Sequence, residues 1–130
     1  RGAEIPAANG HTNARAVARI YSALSLGGEL DRVRILSPAA IQAALVEQSN
    51  GQDAVLDRPT RFGLGFMLSS ESFPLGPGLR SFGHAGAGGS LGFADPDAGI
   101  GFGYCMNQML AETPDDSRAV RLIHAIYESL

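Results

Sequence analysis

Ser81-Phe82-Gly83-His84-Ala85-Gly86-Ala87-Gly88-Gly89-Ser90-Leu91-Gly92-Phe93-Ala94-Asp95-Pro96 is the stretch on which the fold turns. It reads as a short strand, a glycine-rich turn, a second strand and a second turn. One ionisable side chain, His84, stands at its centre. The glycines beside it remove bulk, so that a ligand can come close to the backbone. Downstream, Asp95-Pro96-Asp97-Ala98-Gly99 spells a hairpin turn, with proline suited to a type I corner and glycine to the left-handed position after it. The next strand alternates most cleanly, with Ile100, Phe102, Tyr104 and Met106 set against Gly101, Gly103, Cys105 and Asn107. Upstream, Phe62, Leu64, Phe66 and Leu68 alternate with Gly63, Gly65 and Met67 as another strand. The polar residues 51–61, with Pro59, and residues 70–80 read as loops.

These strands share one feature. Each sets bulky residues against glycine, alanine or cysteine, which predicts one bulky face and one flattened face. Glycine weakens an isolated strand by roughly 0.5–1 kcal/mol relative to alanine, so its repetition on one face asks for a compensating close approach by a helix. The final helix is the expected partner. It is predicted to start at Thr113-Pro114-Asp115-Asp116 and to carry an apolar stripe of Val120, Ile123, Tyr127 and Leu130, with Ile126 beside it. Two helices precede the sheet. The first starts at Thr12 or Asn13, buries Ala14, Val17, Tyr21 and Leu24, and stops at Gly27-Gly28. Leu30 to Ile35 follow as a short connection or brief strand. The second helix has Ser37 as cap and Pro38 at its first position, and ends at Asn50-Gly51. The expected class is α+β, with residues 1–130 forming one domain. An antiparallel sheet of three or four strands is packed by helices, including the C-terminal one.

Composition narrows the function classes. The chain has 130 residues, 45% of them apolar and 18% charged, enough for a packed core. A net charge of -3 gives no general attraction to nucleic acid or to an anionic membrane, and neither is expected as a partner. No apolar run approaches the roughly 18 residues that would span a bilayer. The start, Arg1-Gly2-Ala3-Glu4-Ile5-Pro6, has no apolar signal core, which favours a cytoplasmic location. Cys105 is the single cysteine; it is predicted to face the small-residue side and to pack as a small hydrophobe. All ten basic residues are arginine; there is no lysine.

Gly88-Gly89-Ser90-Leu91-Gly92 fits G-x-S-x-G, but a nucleophile elbow needs a helix next, and Phe93-Ala94-Asp95-Pro96 opens none. Ser90 is read as a strand-start serine. A dinucleotide loop fails because Leu91 stands where the last glycine should be. The three histidines, His11, His84 and His124, show no metal-ligand spacing, and no cofactor is expected. Asp95 and Asp97 are turn residues, and Asp115 and Asp116 are cap residues. No carboxylate pair is placed for acid–base work. His84 remains, among glycines that admit a substrate.

Phe82-Gly83-His84-Ala85-Gly86-Ala87-Gly88-Gly89-Ser90-Leu91-Gly92-Phe93-Ala94-Asp95-Pro96, with Gly101-Phe102-Gly103-Tyr104 and Met106-Asn107, resembles the C-terminal part of the β-lactamase-related serine hydrolases. That family includes class C β-lactamases, D-alanyl-D-alanine carboxypeptidases and esterases of the same β-lactamase/transpeptidase-like fold. The likeness spans about residues 11–130. His84-Ala85-Gly86 looks like the family's third motif, Lys-Thr-Gly or His-x-Gly, which edges the active site. The resemblance implies catalytic parts for His84 and for the Ala87 N–H, the latter as half of an oxyanion hole, with Ala85 and Gly86 lining the substrate. The family's other motifs are not here. Ser-x-x-Lys cannot occur without lysine, and Tyr104 stands three positions before Asn107, so Tyr-x-Asn fails too. A serine nucleophile needs an adjacent base. The expectation is therefore the C-terminal piece of a longer enzyme that forms an acyl-enzyme on a small ester or amide, inactive by itself. A non-catalytic binding module that keeps the fold is the alternative. It would carry an uncovered apolar face open to self-association.

Overall fold

The computed structural model describes residues 2, 4–6, 10–110 and 117–130. Helix α1 runs Ala14–Ser25 and is capped by Asn13, whose side-chain oxygen accepts from the Ala16 N–H at 3.0 Å. A two-stranded hairpin, β1 (Glu29–Leu30) with β2 (Val33–Arg34), turns at Asp31 and Arg32, both left-handed. Helix α2 is Pro38–Ala44, with the Ser37 hydroxyl accepting from the Ala40 N–H at 3.1 Å and Pro38 in the first turn. These starts are where the capping chemistry puts them. The end of α2 is not. It stops at Ala44, whose carbonyl accepts from the Leu64 N–H at 2.8 Å, and Asn50-Gly51 belong to a strand instead.

The main sheet has six antiparallel strands, wider than the three or four expected, ordered as they occur in the chain. They are β3 (Ser49–Asp53), β4 (Arg58–Phe62), β5 (Met67–Leu68), β6 (Phe82–Ala85), β7 (Leu91–Asp95) and β8 (Ile100–Tyr104). The extra width is the β3–β4 hairpin, in the stretch that reads as a loop. Residues Ser49–Gln52 are exposed on both sides, so no apolar alternation marks the strand. Pro59 does not break it. The Pro59 carbonyl accepts from Ser72 Oγ at 3.2 Å, away from β3, and an extended residue sends its N and O to the same side. Its missing N–H therefore removes no bond from the β3 ladder. The Phe62–Leu68 stretch is not one strand. Phe62 pairs with Met67, and the Gly63 N–H donates to the Phe66 carbonyl at 2.9 Å, closing a tight turn between β4 and β5.

One core lies on each face of this sheet. Leu24, Ile41, Leu68, Phe82 and Ala94 are buried together beneath α1 and α2. Met67, Phe73, Leu75, Leu91, Phe93 and Phe102 are buried on the other face with Ala119 and Ile123 of α3 (Ser117–Glu128). The expected start of α3 at 113–116 lies outside the described residues. Its stripe runs through Ala119, Ile123, Ile126 and Tyr127; Leu130, past the helix end, is 80% exposed. The bulky face is thus the one α3 covers, and the helix on the glycine face is α1. A Cβ at Gly101 would sit 2.0 Å from the Ser22 nitrogen, a backbone atom that cannot yield without moving α1. At Gly92 it would meet Tyr21 at 2.3 Å. Opposite Gly103, α1 presents Ala14, Val17 and Ala18, and its backbone comes close there too.

The strand β6 is inverted relative to its neighbours. Phe82 pairs with Ala94 and His84 with Gly92, so its two large residues stand on the glycine face. Phe93 in turn fills the space over Gly83, where a Cβ would lie 2.7 Å from Phe93 Cβ. Large opposes small across each pair, and the sheet stays thin enough for a helix on both sides. At the far end, the buried Asp95 accepts from the Asp97 and Ala98 N–H groups at 2.9 and 3.2 Å and from the Tyr127 hydroxyl at 2.5 Å. A turn residue thereby anchors α3. Burial, and then the Asp95 carboxylate, push the Tyr127 hydroxyl well above its ordinary pKa.

Candidate functional site

The site grows from the end of β6. After Ala85 the ladder goes on for one more bond, Gly86 N–H to the Ser90 carbonyl at 2.6 Å. The turn closes with Gly89 N–H donating to the Gly86 carbonyl at 3.1 Å. Gly88 and Gly89 have φ of 88° and 113°, a region that a side chain resists. Ala87 sits at the exposed corner of this turn. Among the described residues, none accepts a hydrogen bond from its N–H. Such a donor is ready for a ligand oxygen without first breaking a protein bond.

His84 is exposed, on the face that α1 covers as far as its partner Gly92. Its Nδ1 lies 2.6 Å from the Ala85 carbonyl oxygen. A carbonyl only accepts, so the hydrogen is on Nδ1, and in the neutral ring the Nε2 lone pair is left outward as an acceptor or base. The Phe62 ring leans on the imidazole, centroids 5.9 Å apart and planes at 46°, and limits its swing. Ala85 packs its methyl with the core on the α3 face, away from His84, and offers its carbonyl to the imidazole. Gly86 is exposed; a Cβ there would come 3.3 Å from Ser90 Cβ. The four residues singled out from the sequence thus lie along one strand end, with His84 and Ala87 both open.

Ser90 is not a nucleophile elbow. Strand β7, not a helix, follows it, and its hydroxyl donates to Met106 Sδ at 2.9 Å. No cluster of three or more His, Cys, Asp or Glu side chains suited to a metal occurs among the described residues. His124 is exposed on α3. A second, shallow depression is lined by Ser49–Asp53, Ala54 and Thr60. Its ionisable group, Asp53, is occupied by the Leu56 and Val55 N–H groups, which hold its carboxyl below the usual range.

Three neighbours of the site escape a sequence reading. Phe62 comes from what reads as the start of a different strand. Met106 and Met109 lie against Gly88 of the turn because β8 ends at Tyr104 and the chain folds back. The same early end leaves Cys105 exposed, not packed on the small-residue face as expected. The signal that was available is the run Cys105-Met106-Asn107-Gln108-Met109, which breaks the alternation after Asn107.

Comparison with known proteins identifies the family. Residues 1–125 match the Beta-lactamase family profile. The chain is 37% identical over 129 residues to "Esterase/beta-lactamase LipL" of Mycobacterium tuberculosis, covering 98% of this chain and 29% of that protein. A solved structure of a family VIII carboxylesterase superposes with a TM-score of 0.93 at 44% identity, over all of this chain and 35% of the other. A penicillin-binding protein homologue from Caulobacter crescentus gives 0.92 at 46% identity, over 98% of this chain and 34% of that one. The chain thus spans about a third of the length of the proteins it matches.

Proposed function

The chain belongs to the beta-lactamase family of serine hydrolases, and from that premise we propose that it is the wall-forming part of an esterase working through an acyl-enzyme. The supporting observation is the open Ala87 N–H beside an exposed, oriented His84 at the end of β6. The serine and its base come from a segment of the full-length protein that carries Ser-x-x-Lys. The serine oxygen attacks the ester carbonyl carbon, and the base takes the hydroxyl proton. The carbonyl oxygen becomes an oxyanion, and the Ala87 N–H donates to it as half of the hole. Collapse expels the alcohol, which takes up a proton. Water then repeats the sequence on the acyl-enzyme and frees the acid. His84 lines the same wall as Ala87, where Nε2 accepts from, or when protonated donates to, the substrate's polar group.

The preference for a neutral ester rests on charge. An imidazole is not a permanent cation near neutral pH, so it attracts a substrate carboxylate less than lysine would. The names of two relatives, an esterase/beta-lactamase and a carboxylesterase, point the same way. A catalytically silent binding module would keep the same fold, and turnover separates the two readings. The full-length protein is expected to hydrolyse nitrophenyl esters faster than a chromogenic cephalosporin, while residues 1–130 alone turn over neither. Faster cephalosporin cleavage would reverse the substrate preference, and absence of both activities in the full-length protein would favour the silent module.

A further inference from the structure

We infer that Met106 and Met109 are positioning residues that hold the 86–90 turn so that the Ala87 N–H keeps its outward aim. The inference deepens the proposed function, since it rests on Ala87 being the oxyanion donor. Three contacts carry it. A Cβ at Gly88 would fall 2.7 and 2.8 Å from Met109 Cε and Cγ and 3.0 Å from Met106 Cε, so both side chains press on the bare backbone next to Ala87. The Ser90 hydroxyl donates to Met106 Sδ at 2.9 Å, which ties the far stem of the turn to the same segment. The Leu110 N–H donates to the Gly88 carbonyl at 3.2 Å, which fixes the Gly88–Gly89 peptide inside the turn.

The turn needs such support. Within itself it has Gly86 to Ser90 and Gly89 to Gly86 as its bonds, and two of its residues are left-handed glycines with a wide choice of backbone conformations. An oxyanion donor loses its value if it moves, because its worth lies in being fixed before charge develops. Met109 is also 67% exposed. An apolar side chain kept at the surface, against a glycine that accepts no Cβ, serves the turn more than the core. Methionine suits the task because its unbranched thioether follows an irregular backbone, and its sulfur accepts a weak hydrogen bond.

The test uses the full-length protein, with Met106→Ala, Met109→Ala and the bulk-preserving Met109→Leu. Two readouts are taken: amide hydrogen exchange of residues 86–90 against 91–95, and kcat and KM on a nitrophenyl ester. Both alanine variants are expected to exchange faster at 86–90 with 91–95 unchanged. They are expected to lose kcat by roughly tenfold to 10²-fold at little cost in KM, as misplacement of a reacting group does. Met109→Leu is expected to restore both readouts most of the way. Unchanged exchange at 86–90, or faster exchange spread equally over 91–95, would overturn the inference. So would faster local exchange with wild-type kcat. If the wild-type protein cleaves no ester, the proposed function fails while the exchange pattern still decides whether the brace exists.

Discussion

At the scale of single residues, the site depends on two groups that the protein leaves uncommitted. Among the described residues the hydrogen-bond partner of His84 is the Ala85 carbonyl of its own strand, and its ring is exposed, so removing it is expected to leave the fold alone. His84→Ala in the full-length protein is expected to lower kcat on esters by roughly 10²-fold or more if the imidazole assists proton transfer, with an unchanged melting temperature. Wild-type kcat in that variant would remove His84 from the mechanism. His84 stands out in the sequence because a titratable side chain among glycines is conspicuous, whereas Ala85, Gly86 and Ala87 enter only through the family resemblance. Cys105 was misread for the opposite reason. Period-two alternation continues past Tyr104 and breaks only after Asn107, three residues beyond the end of the ladder. That stop is set by β7, whose Leu91 is the last residue to pair with β8.

At the scale of elements, the starts of α1 and α2 and the β6–β7–β8 meander were readable, since caps and turn residues act locally. What was not readable is which helix lies on which face. Helix α1 and helix α3 are both amphipathic, and only the register between β6 and β7, set by packing, decides that Phe82 shares a face with Gly92 and Gly101. The β3–β4 hairpin was missed because exposed polar residues on both faces give no period. The α1 contact has a direct test. Gly101→Ala would place a Cβ 2.0 Å from the Ser22 nitrogen, and the needed shift of α1 is expected to cost about 1–3 kcal/mol in denaturant unfolding. An unchanged midpoint would show that α1 is not in close contact there.

The Asp95–Tyr127 bond docks α3 and makes a pH-dependent contribution. The folded state raises the Tyr127 pKa above the ordinary 10.0, through burial and then Asp95. Above pH 10 the unfolded chain therefore holds fewer protons than the folded one, and stability falls as pH rises. The contribution is complete below the unfolded value. Burial of Tyr21 raises its pKa too and adds to the same alkaline loss. Tyr127→Phe is expected to cost about 1–3 kcal/mol at neutral pH, the price of leaving the buried Asp95 short of a donor, and to make the decline above pH 10 shallower. An alkaline slope identical to wild type would exclude Tyr127 as its source.

At the scale of the whole molecule, the proposed function makes this chain one wall of an active site, carried on a sheet packed on both faces. It carries no lysine, and the proteins it resembles are about three times as long. The account's central claim is that the Ala87 N–H stands ready for an oxyanion. The most direct measurement is a crystal structure of the full-length protein inactivated by an alkyl phosphonate ester, whose phosphoryl oxygen mimics that oxyanion. The expected result is a serine adduct with this oxygen roughly 2.7–3.1 Å from the Ala87 nitrogen, as an oxyanion-hole donor requires. An adduct whose phosphoryl oxygen points away from Ala87, toward solvent or another pair of donors, would contradict it.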